Sequence, residues 1–418
     1  MHQGPPLEGD AKLRVLVFTQ HFSPEITAGR FRIEALVKGL VTRGHAVEVL
    51  CPVPNHPGGM IQPEFRGRIR ARRSHHGAAV TYLWVAVRPK KTLMTRLAYY
   101  ASYAGMASVA GSLRRRPDVV LASSPPLTVG LAGAFVARRH RIPWILDVRD
   151  LWPDSAVALG ELTHPRAIKL LERIETSLYS WADAIVTVND AFRRHISNRA
   201  PTDQRIEVIP NGTTREWLDA GTTEPDRDEL GLPRGAFIWA YAGNIGLAHG
   251  LEVAVQAAEL LGEGFLLLII GDGPKRDSVE CRAAEVAPRR VELRPLLPAA
   301  EAARHLRAAD ALLVSERQER TVASKLYDYS AVGRPIVAAC RGELQRVVDQ
   351  AAVGLTVSHG DAGALADAVR ALRDDPVVRE RMGRRGREFA ERHLREAQAR
   401  RLVRLVEDVH ASRRRERA

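Results

Sequence analysis

Cysteine is nearly missing from this chain of 418 residues: Cys51, Cys281 and Cys340 stand far apart, with no C-x-x-C pair among them. So sparse and odd a set excludes a disulfide framework and a cysteine-built zinc site, and it fits a reducing, cytoplasmic compartment. Long apolar runs are missing too. The window 119–137 is broken by Ser123-Ser124-Pro125-Pro126 and the run 265–270 is short, whereas a bilayer span takes roughly 20 apolar residues. Residues 1–10 are polar, with Pro and Gly, and read as a disordered lead-in rather than a signal peptide. There is no short-period repeat, no complete G-x-G-x-x-G fingerprint and no nucleic-acid-binding motif. The composition is that of a soluble or peripheral protein.

What is present in excess is positive charge, and it is unevenly placed. Residues 1–200 carry 28 Lys+Arg against 15 Asp+Glu, a net of +13, while the remainder carries 34 against 34. An arginine-rich composition explains a basic chain. The confinement of the excess to the first half equally suits a face that meets an anionic partner.

A chain of this length exceeds one ordinary core, so two or three domains are expected. Leu13 to Thr19 is a continuous apolar run suited to a buried parallel strand. A loop with Gly29, an amphipathic helix through Ile33, Leu36, Val37 and Leu40, and a strand over 46–53 complete a βαβ unit. Further strands are expected at 80–87, 119–122, 144–147, 184–188 and 206–210. After Asn211-Gly212, residues 213–235 turn polar and read as a linker. A second series follows at 237–242, 265–271, 291–293, 311–314, 335–339 and 354–357, with helices such as 250–261 and 299–308 between, and 374–417 is helical and charged. Two α/β series of similar size predict two doubly wound, Rossmann-like domains facing across a cleft, over 1–212 and 236–395.

The stretch from Thr321 to Val337 is the most informative. It reads as a loop, a helix opening at Ser324-Lys325-Leu326 with Ser324 as N-cap, and Gly333 closing that helix. A helix N-terminus offers unpaired N–H groups to an anion, and Lys325 adds a point charge there. Asp328, one turn in, is placed to accept hydrogen bonds from two vicinal hydroxyls. Phosphate at the helix mouth with a diol one turn away is how a sugar nucleotide is held. Arg149 and Asp150 end a strand of the first half, where open sheets place their ligands; Asp150 equally suits capping of the turn before Pro153. Gly271-Asp272-Gly273-Pro274 fits a turn beside the cleft or a plain turn. Asp226-Arg227-Asp228 has the spacing of a metal-binding D-x-D but lies in the polar linker, so it reads as solvated surface and no metal is expected.

Asn244-Ile245-Gly246 after a strand, Gly271-Asp272-Gly273-Pro274 and Ser324-Lys325-Leu326-Tyr327-Asp328-Tyr329 resemble the retaining glycosyltransferases of family 4, which have the GT-B fold. The Gly29 loop, Gly44-His45-Ala46-Val47-Glu48-Val49 and Val208-Ile209-Pro210-Asn211-Gly212 match as well, so the resemblance runs from residue 13 to about 410. Asp147-Val148-Arg149-Asp150-Leu151-Trp152-Pro153-Asp154 and Pro54-Asn55-His56-Pro57-Gly58-Gly59 are similar to the branch that includes the N-acetyl-L-fucosaminyltransferases of O-antigen and capsule assembly.

The resemblance implies transfer of a sugar from a nucleoside diphosphate with retained configuration, the nucleotide in the second domain, the acceptor in the first, and residues 396–418 as a helix crossing back to the first. It implies donor-sugar contacts at Gly29, Asn244, His249, Gly271, Gly273, Glu319, Ser324, Lys325, Leu326 and Asp328, with Arg149, Asp150 and Lys325 serving catalysis. An arginine at 149, where the family often has histidine, is suited to a donor phosphate or an acceptor phosphate. Two departures matter. The family's glutamates eight positions apart fall on Arg320 and Asp328, leaving Glu316 or Glu319 to replace the first. The family's diphosphate-neutralising Arg and Lys fall on Asn244 and His249, which shifts that work to Lys325, the helix mouth and the Gly29 amide.

The expected reaction uses a UDP-sugar, an N-acetylhexosamine or deoxyhexosamine, and a lipid-linked glycan, with no cofactor beyond the co-substrate; soluble aglycones and inositol phosphate remain alternatives. Residues 88–116, with Arg88, Lys90, Lys91 and Arg96 before Leu97, Tyr99, Tyr100, Tyr103 and Met106 and Arg114-Arg115-Arg116 after, suit either an anionic membrane surface or a helix packed on the first sheet. Two rival readings are a UDP-N-acetylglucosamine 2-epimerase on the same fold, whose acid/base carboxylates and histidine are not found, and a basic scaffold, which the neutral second half disfavours.

Overall fold

The computed structural model describes residues 12–25, 27–55, 59–88 and 93–416. The lead-in over 1–10, His56-Pro57-Gly58 and Lys90-Lys91 lie outside the described residues.

The first half supplies strands β1 (Arg14–Thr19), β2 (Ala46–Pro52), β3 (Arg70–His75), β4 (Ala78–Leu83), β5 (Val119–Ser124), β6 (Trp144–Val148), β7 (Ala184–Thr187) and β8 (Ile206–Val208). They form one sheet in the order β3-β4-β2-β1-β5-β6-β7-β8. Every pairing is parallel except the β3–β4 hairpin. β5 and β6 are buried along their whole length, as expected of strands covered by helices on both faces. The edge strand β3 was not foreseen. Its sequence Arg-Ala-Arg-Arg-Ser-His buries only Ala71, so no apolar run marks it, and pairing with β4 holds it in place.

The second half supplies β9 (Phe237–Ala242), β10 (Phe265–Ile270), β11 (Val291–Arg294), β12 (Ala311–Ser315), β13 (Ile336–Ala339) and β14 (Gly354–Val357), all parallel in the order β11-β10-β9-β12-β13-β14. Separate apolar clusters cover the two faces, one around Trp239, Leu267 and Leu313 and one around Ile238, Leu268 and Leu312. In both sheets the strand order reverses at a central pair, β1/β5 and β9/β12. Open α/β sheets bind ligands in the crevice outside the strand ends at that point. The two parallel-sheet domains make this the GT-B architecture.

Residues 213–235, expected as a polar linker, are themselves packed. They contain the helix Arg215–Ala220, bury Leu218, and seat Leu232 in the second core. Asp226 and Asp228 of the D-x-D spacing both pair with Arg234, and Arg227 pairs with Asp310 at 2.9 Å. The final helical region breaks at His393-Leu394 into Pro376–Arg392 and Arg395–Arg415. The last helix crosses back to the first domain, where Leu402, Val403, Leu405, Val406 and Val409 join its core and Val403 and Ala399 fit over Gly39. The two crossings touch. Thr213 N donates to His393 O at 3.0 Å and Arg395 N to Thr213 O at 2.7 Å. Gly212 (φ +73°) is needed there, since a Cβ would lie 2.3 Å from the His393 oxygen.

Candidate functional site

The floor of the second domain's crevice is built from backbone. After β9 and β10 the chain makes two loops, 243–246 and 271–274, that lie against each other: Gly243 N donates to Ile270 O and Ile245 N to Asp272 O, both at 2.8 Å. Gly271 and Gly273 permit this approach. A Cβ on Gly271 would lie 1.9 Å from Gly243 O, and one on Gly273 2.5 Å from Ile245 O. Their role in the structure is to bring the loops together, while Asn244 is left exposed at the tip of the first.

The helix Lys325–Val332 opens beside these loops and ends at Gly333 in the left-handed conformation, as the sequence indicated. Its mouth differs from expectation. Ser324 is already helical and its side chain makes no capping bond. The Leu326 amide donates to Ala323 O at 3.0 Å and the Leu326 side chain is fully buried in the core, so neither faces a ligand. Lys325 is half-buried 3.8 Å above the Tyr241 ring and donates to the Tyr241 hydroxyl. Among the described residues no carboxylate reaches it within ion-pair distance. Burial lowers its pKa to about 7, with the Glu316 charge opposing the fall.

Glu316 follows β12, is 5 % exposed, and accepts from Gln318 N at 3.0 Å. Burial raises it to about 7, against the pull of Gln318 N and Lys325, while Asp150 across the crevice pushes it up. His249 donates from Nδ1 to Ser315 O at 3.0 Å, and burial and then Lys325 lower it to about 4. Its imidazole is therefore neutral near pH 7. Asp328 lies at the hinge between domains rather than in bulk solvent. Its Oδ1 accepts from Thr213 Oγ1 at 2.7 Å with Arg395 4.0 Å away, and burial raises it to about 6.

On the first domain Arg149 Nε donates to Ser123 Oγ at 2.8 Å and Nη2 to Pro125 O at 3.3 Å. This aims the guanidinium over Gly29, where a Cβ would lie 2.0 Å from Arg149 Nη1. Ser123 in turn donates to Asp147 at 2.8 Å, and Asp147 is gripped by Arg32, whose Nη1 donates to Ile209 O at 2.7 Å. This buried chain from Arg149 to the hinge was missed, because Arg32 lies 115 positions from Asp147 and the motif that begins at Asp147 does not name that partner. Asp150 accepts from the Ser155 side chain and the Leu151 amide, and burial raises its pKa; the helix that follows begins after Pro153 without a side-chain cap, so Asp150 does not cap it.

A glycosyl transferase 4-like domain model matches residues 28–212, and a glycosyl transferases group 1 model matches 236–375. The chain belongs to the family 4 glycosyltransferases. It is similar to WbjE of Pseudomonas aeruginosa, named as a glycosyltransferase, at 28% identity over 61% of this chain and 66% of that one. WcaI of Escherichia coli K12, named for colanic acid biosynthesis, is 24% identical over 77% of this chain and 82% of that protein. A D-inositol 3-phosphate glycosyltransferase of Catenulispora acidiphila is 28% identical over 64% and 67%. Among solved structures, sucrose-phosphate synthase of Thermosynechococcus elongatus superimposes with a TM-score of 0.78 at 18% identity, covering 96% of this chain and 100% of that one. HepE of Anabaena, solved with UDP-glucose, gives 0.67 at 14%, covering 94% and 98%.

Within this glycosyltransferase the two residues offered for the missing first glutamate separate. Glu319 is exposed on a cavity of about 450 Å³ between the domains, shared with Asp150 and Arg320. Glu316 is buried beside Lys325. Arg320 is turned to the first domain: Nη1 meets Asp154 at 2.7 Å, and its carbonyl accepts from Asn189 Nδ2 at 3.0 Å. Of residues 88–116, expected either at a membrane surface or packed on the first sheet, two turn inward. Tyr103 is fully buried and bonds Leu50 O at 2.7 Å, and Arg114 turns inward to Glu48 at 2.7 Å. Met94, Leu97, Val109 and Leu113 are the exposed apolar residues there, and no described helix is long and apolar enough to cross a membrane.

Proposed function

We propose that this glycosyltransferase moves a sugar from a UDP-sugar to a hydroxyl acceptor with retained configuration. One observation carries the reading: an ammonium, Lys325, is held half-buried at a helix mouth in the crevice, with no carboxylate within ion-pair distance among the described residues. Such a group is poorly charged until an anion arrives. Breaking the C1–O bond of a nucleotide sugar leaves charge on the diphosphate, and a preorganised positive group there lowers the barrier by about 3–4 kcal/mol. The leaving phosphate takes the acceptor proton, so no separate base is needed. Arg149 reaches from the first domain, Glu316 takes a donor-sugar hydroxyl in place of Arg320, and Asp328 keeps Oδ2 for a ribose hydroxyl while Oδ1 holds Thr213.

The sugar is an N-acetylhexosamine or deoxyhexosamine and the acceptor a lipid-linked glycan. The similarity to WcaI supports a polysaccharide role, and the apolar residues Met94, Leu97, Val109 and Leu113 with Arg115 and Arg116 offer a membrane-facing side. Thermal-shift titration with UDP, GDP and ADP tests the donor. UDP raises the melting temperature of the wild type and does so much less in Lys325→Ala; equal shifts from all three nucleotides, or none, would overturn it.

A further inference from the structure

The β3–β4 hairpin carries a side-chain cluster that sugar transfer does not use. Its two-residue turn is His76-Gly77, with φ of +49° and +81°. Such a turn ordinarily takes Asn-Gly, so the histidine adds nothing to it but an imidazole. A Cβ on Gly77 would lie 2.9 Å from Val41 Cγ1, which shows how closely the turn is pressed on the helix Ala28–Thr42. That contact brings His75 and His76 to Glu34 of the same helix. Glu34 Oε1 meets His75 Nε2 and lies 3.2 Å from His76 Nε2. The two imidazole nitrogens and the carboxylate oxygen all fall within 4.8 Å of one another. No spacing motif announces the cluster, because Glu34 and His75 are 41 positions apart.

The surroundings hold each donor in place. Phe22 stands edge-on to His75 with ring centroids 5.5 Å apart, and the rings of His75 and His76 are 4.2 Å apart. Arg30, one turn before Glu34, donates from Nε to the other carboxylate oxygen at 2.9 Å. Oε1 is thereby left to the imidazoles, and a metal-bound carboxylate is commonly held in this way through its second oxygen. Zinc binds imidazole nitrogen and carboxylate oxygen at about 2.0–2.2 Å, so tetrahedral donors sit about 3.3 Å apart. The 3.2 Å between His76 and Glu34 matches that separation. The other group of this kind among the described residues, Asp154, Glu175 and His195, is crossed by Arg199 and Arg320, which pair with both carboxylates.

We propose that Glu34, His75 and His76 form a site for one Zn²⁺ ion, with water in the fourth position, that pins the β3–β4 hairpin to the helix Ala28–Thr42. Two imidazoles select a transition metal over Mg²⁺ and Ca²⁺, which take oxygen ligands. The role is structural. β3 is the outermost strand of its sheet, three places from β1, and none of the three ligands lines the cavity between the domains. The ion takes no part in sugar transfer, and the proposal is independent of the donor reading.

Equilibrium dialysis of the full chain, carrying no polyhistidine tag and stripped with EDTA, against Zn²⁺ with and without excess Mg²⁺ tests it. One Zn²⁺ binds per chain with a Kd of about 10 μM or tighter, Mg²⁺ does not displace it, and saturating Zn²⁺ raises the melting temperature. His76→Asn preserves the turn and Glu34→Gln preserves the helix, and each weakens Zn²⁺ binding about a hundredfold. Both variants keep the wild-type circular dichroism spectrum, which shows that they fold. Cys281→Ser, which removes the exposed thiol, leaves binding unchanged. A wild-type Kd weaker than about 10 μM would overturn the site and leave a hydrogen-bonded cluster only. Unchanged affinity in either His76→Asn or Glu34→Gln would overturn it as well, since the ion would then be held elsewhere.

Discussion

Single residues in this site are defined by what burial does to their charge. Asp328 is the clearest case. Its carboxyl rises from 3.8 to about 6, through burial first, with Arg395 and Thr213 pulling it back. Between those values the folded chain holds a proton that the unfolded chain has lost, so folding stability declines as pH rises through this window, and the cost persists above about pH 6. Asn at this position keeps an acceptor for Thr213 and removes the charge. Asp328→Asn is therefore expected to melt roughly 2–4 °C above wild type at pH 8, with the gap closing near pH 4, and to bind UDP more weakly. Differential scanning calorimetry at the two pH values checks the first part and UDP titration the second.

Secondary-structure elements divide by how much of their environment the chain writes locally. β1, β9, β10, β12 and β13 were legible because both faces are covered, so each is an almost unbroken apolar run, whereas the half-buried edge strands β11 and β14 were legible from their place in the series. β3 and the helix Arg215–Ala220 were not, since one is a solvated edge and the other buries little beyond Leu218. The helix at Lys325 and its closing glycine were readable as a local pattern, but the idle Ser324 side chain and the inward Leu326 depend on how that helix docks. The glycines of 271–274 were read as a possible ligand turn, whereas the neighbouring loop's backbone is what demands them. Gly271→Ala, with its Cβ driven toward the Gly243 carbonyl, is expected to cost several degrees of melting temperature even without nucleotide. Wild-type stability with lost UDP binding would instead make Gly271 a ligand residue.

At the scale of the whole molecule, the two domains are linked by a doubly hydrogen-bonded hinge and by ion pairs across the crevice: Arg320 with Asp154, Arg194 with Glu343 and Arg346 with Asp190. None of these was legible, because each joins residues 150 or so positions apart that carry no motif. Pairs at the surface such as Arg320–Asp154 and Arg346–Asp190 are worth roughly 0–1 kcal/mol each, enough to bias opening without preventing it, while Glu343 in the pair with Arg194 is buried. Arg320→Glu, which restores the family's residue, places like charge against Asp154. It is expected to enlarge the radius of gyration in small-angle scattering and to raise KM for the donor, and Asp154→Arg in the same chain to reverse both. A donor KM improved by Arg320→Glu alone would mean that position 320 contacts the sugar after all.

The central claim is that Lys325 gains its charge from the diphosphate. Its free pKa of about 7 means that at pH 8 most of the lysine is neutral, so binding an anion beside it must draw a proton from solvent. UDP titrations at pH 8 in two buffers of different ionisation enthalpy measure that uptake directly. The account predicts close to one proton taken up per UDP bound by the wild type, most of it lost in Lys325→Met, and affinity that weakens as pH rises above 7. Binding of UDP with no proton uptake, and with the same pH profile in Lys325→Met, would contradict it.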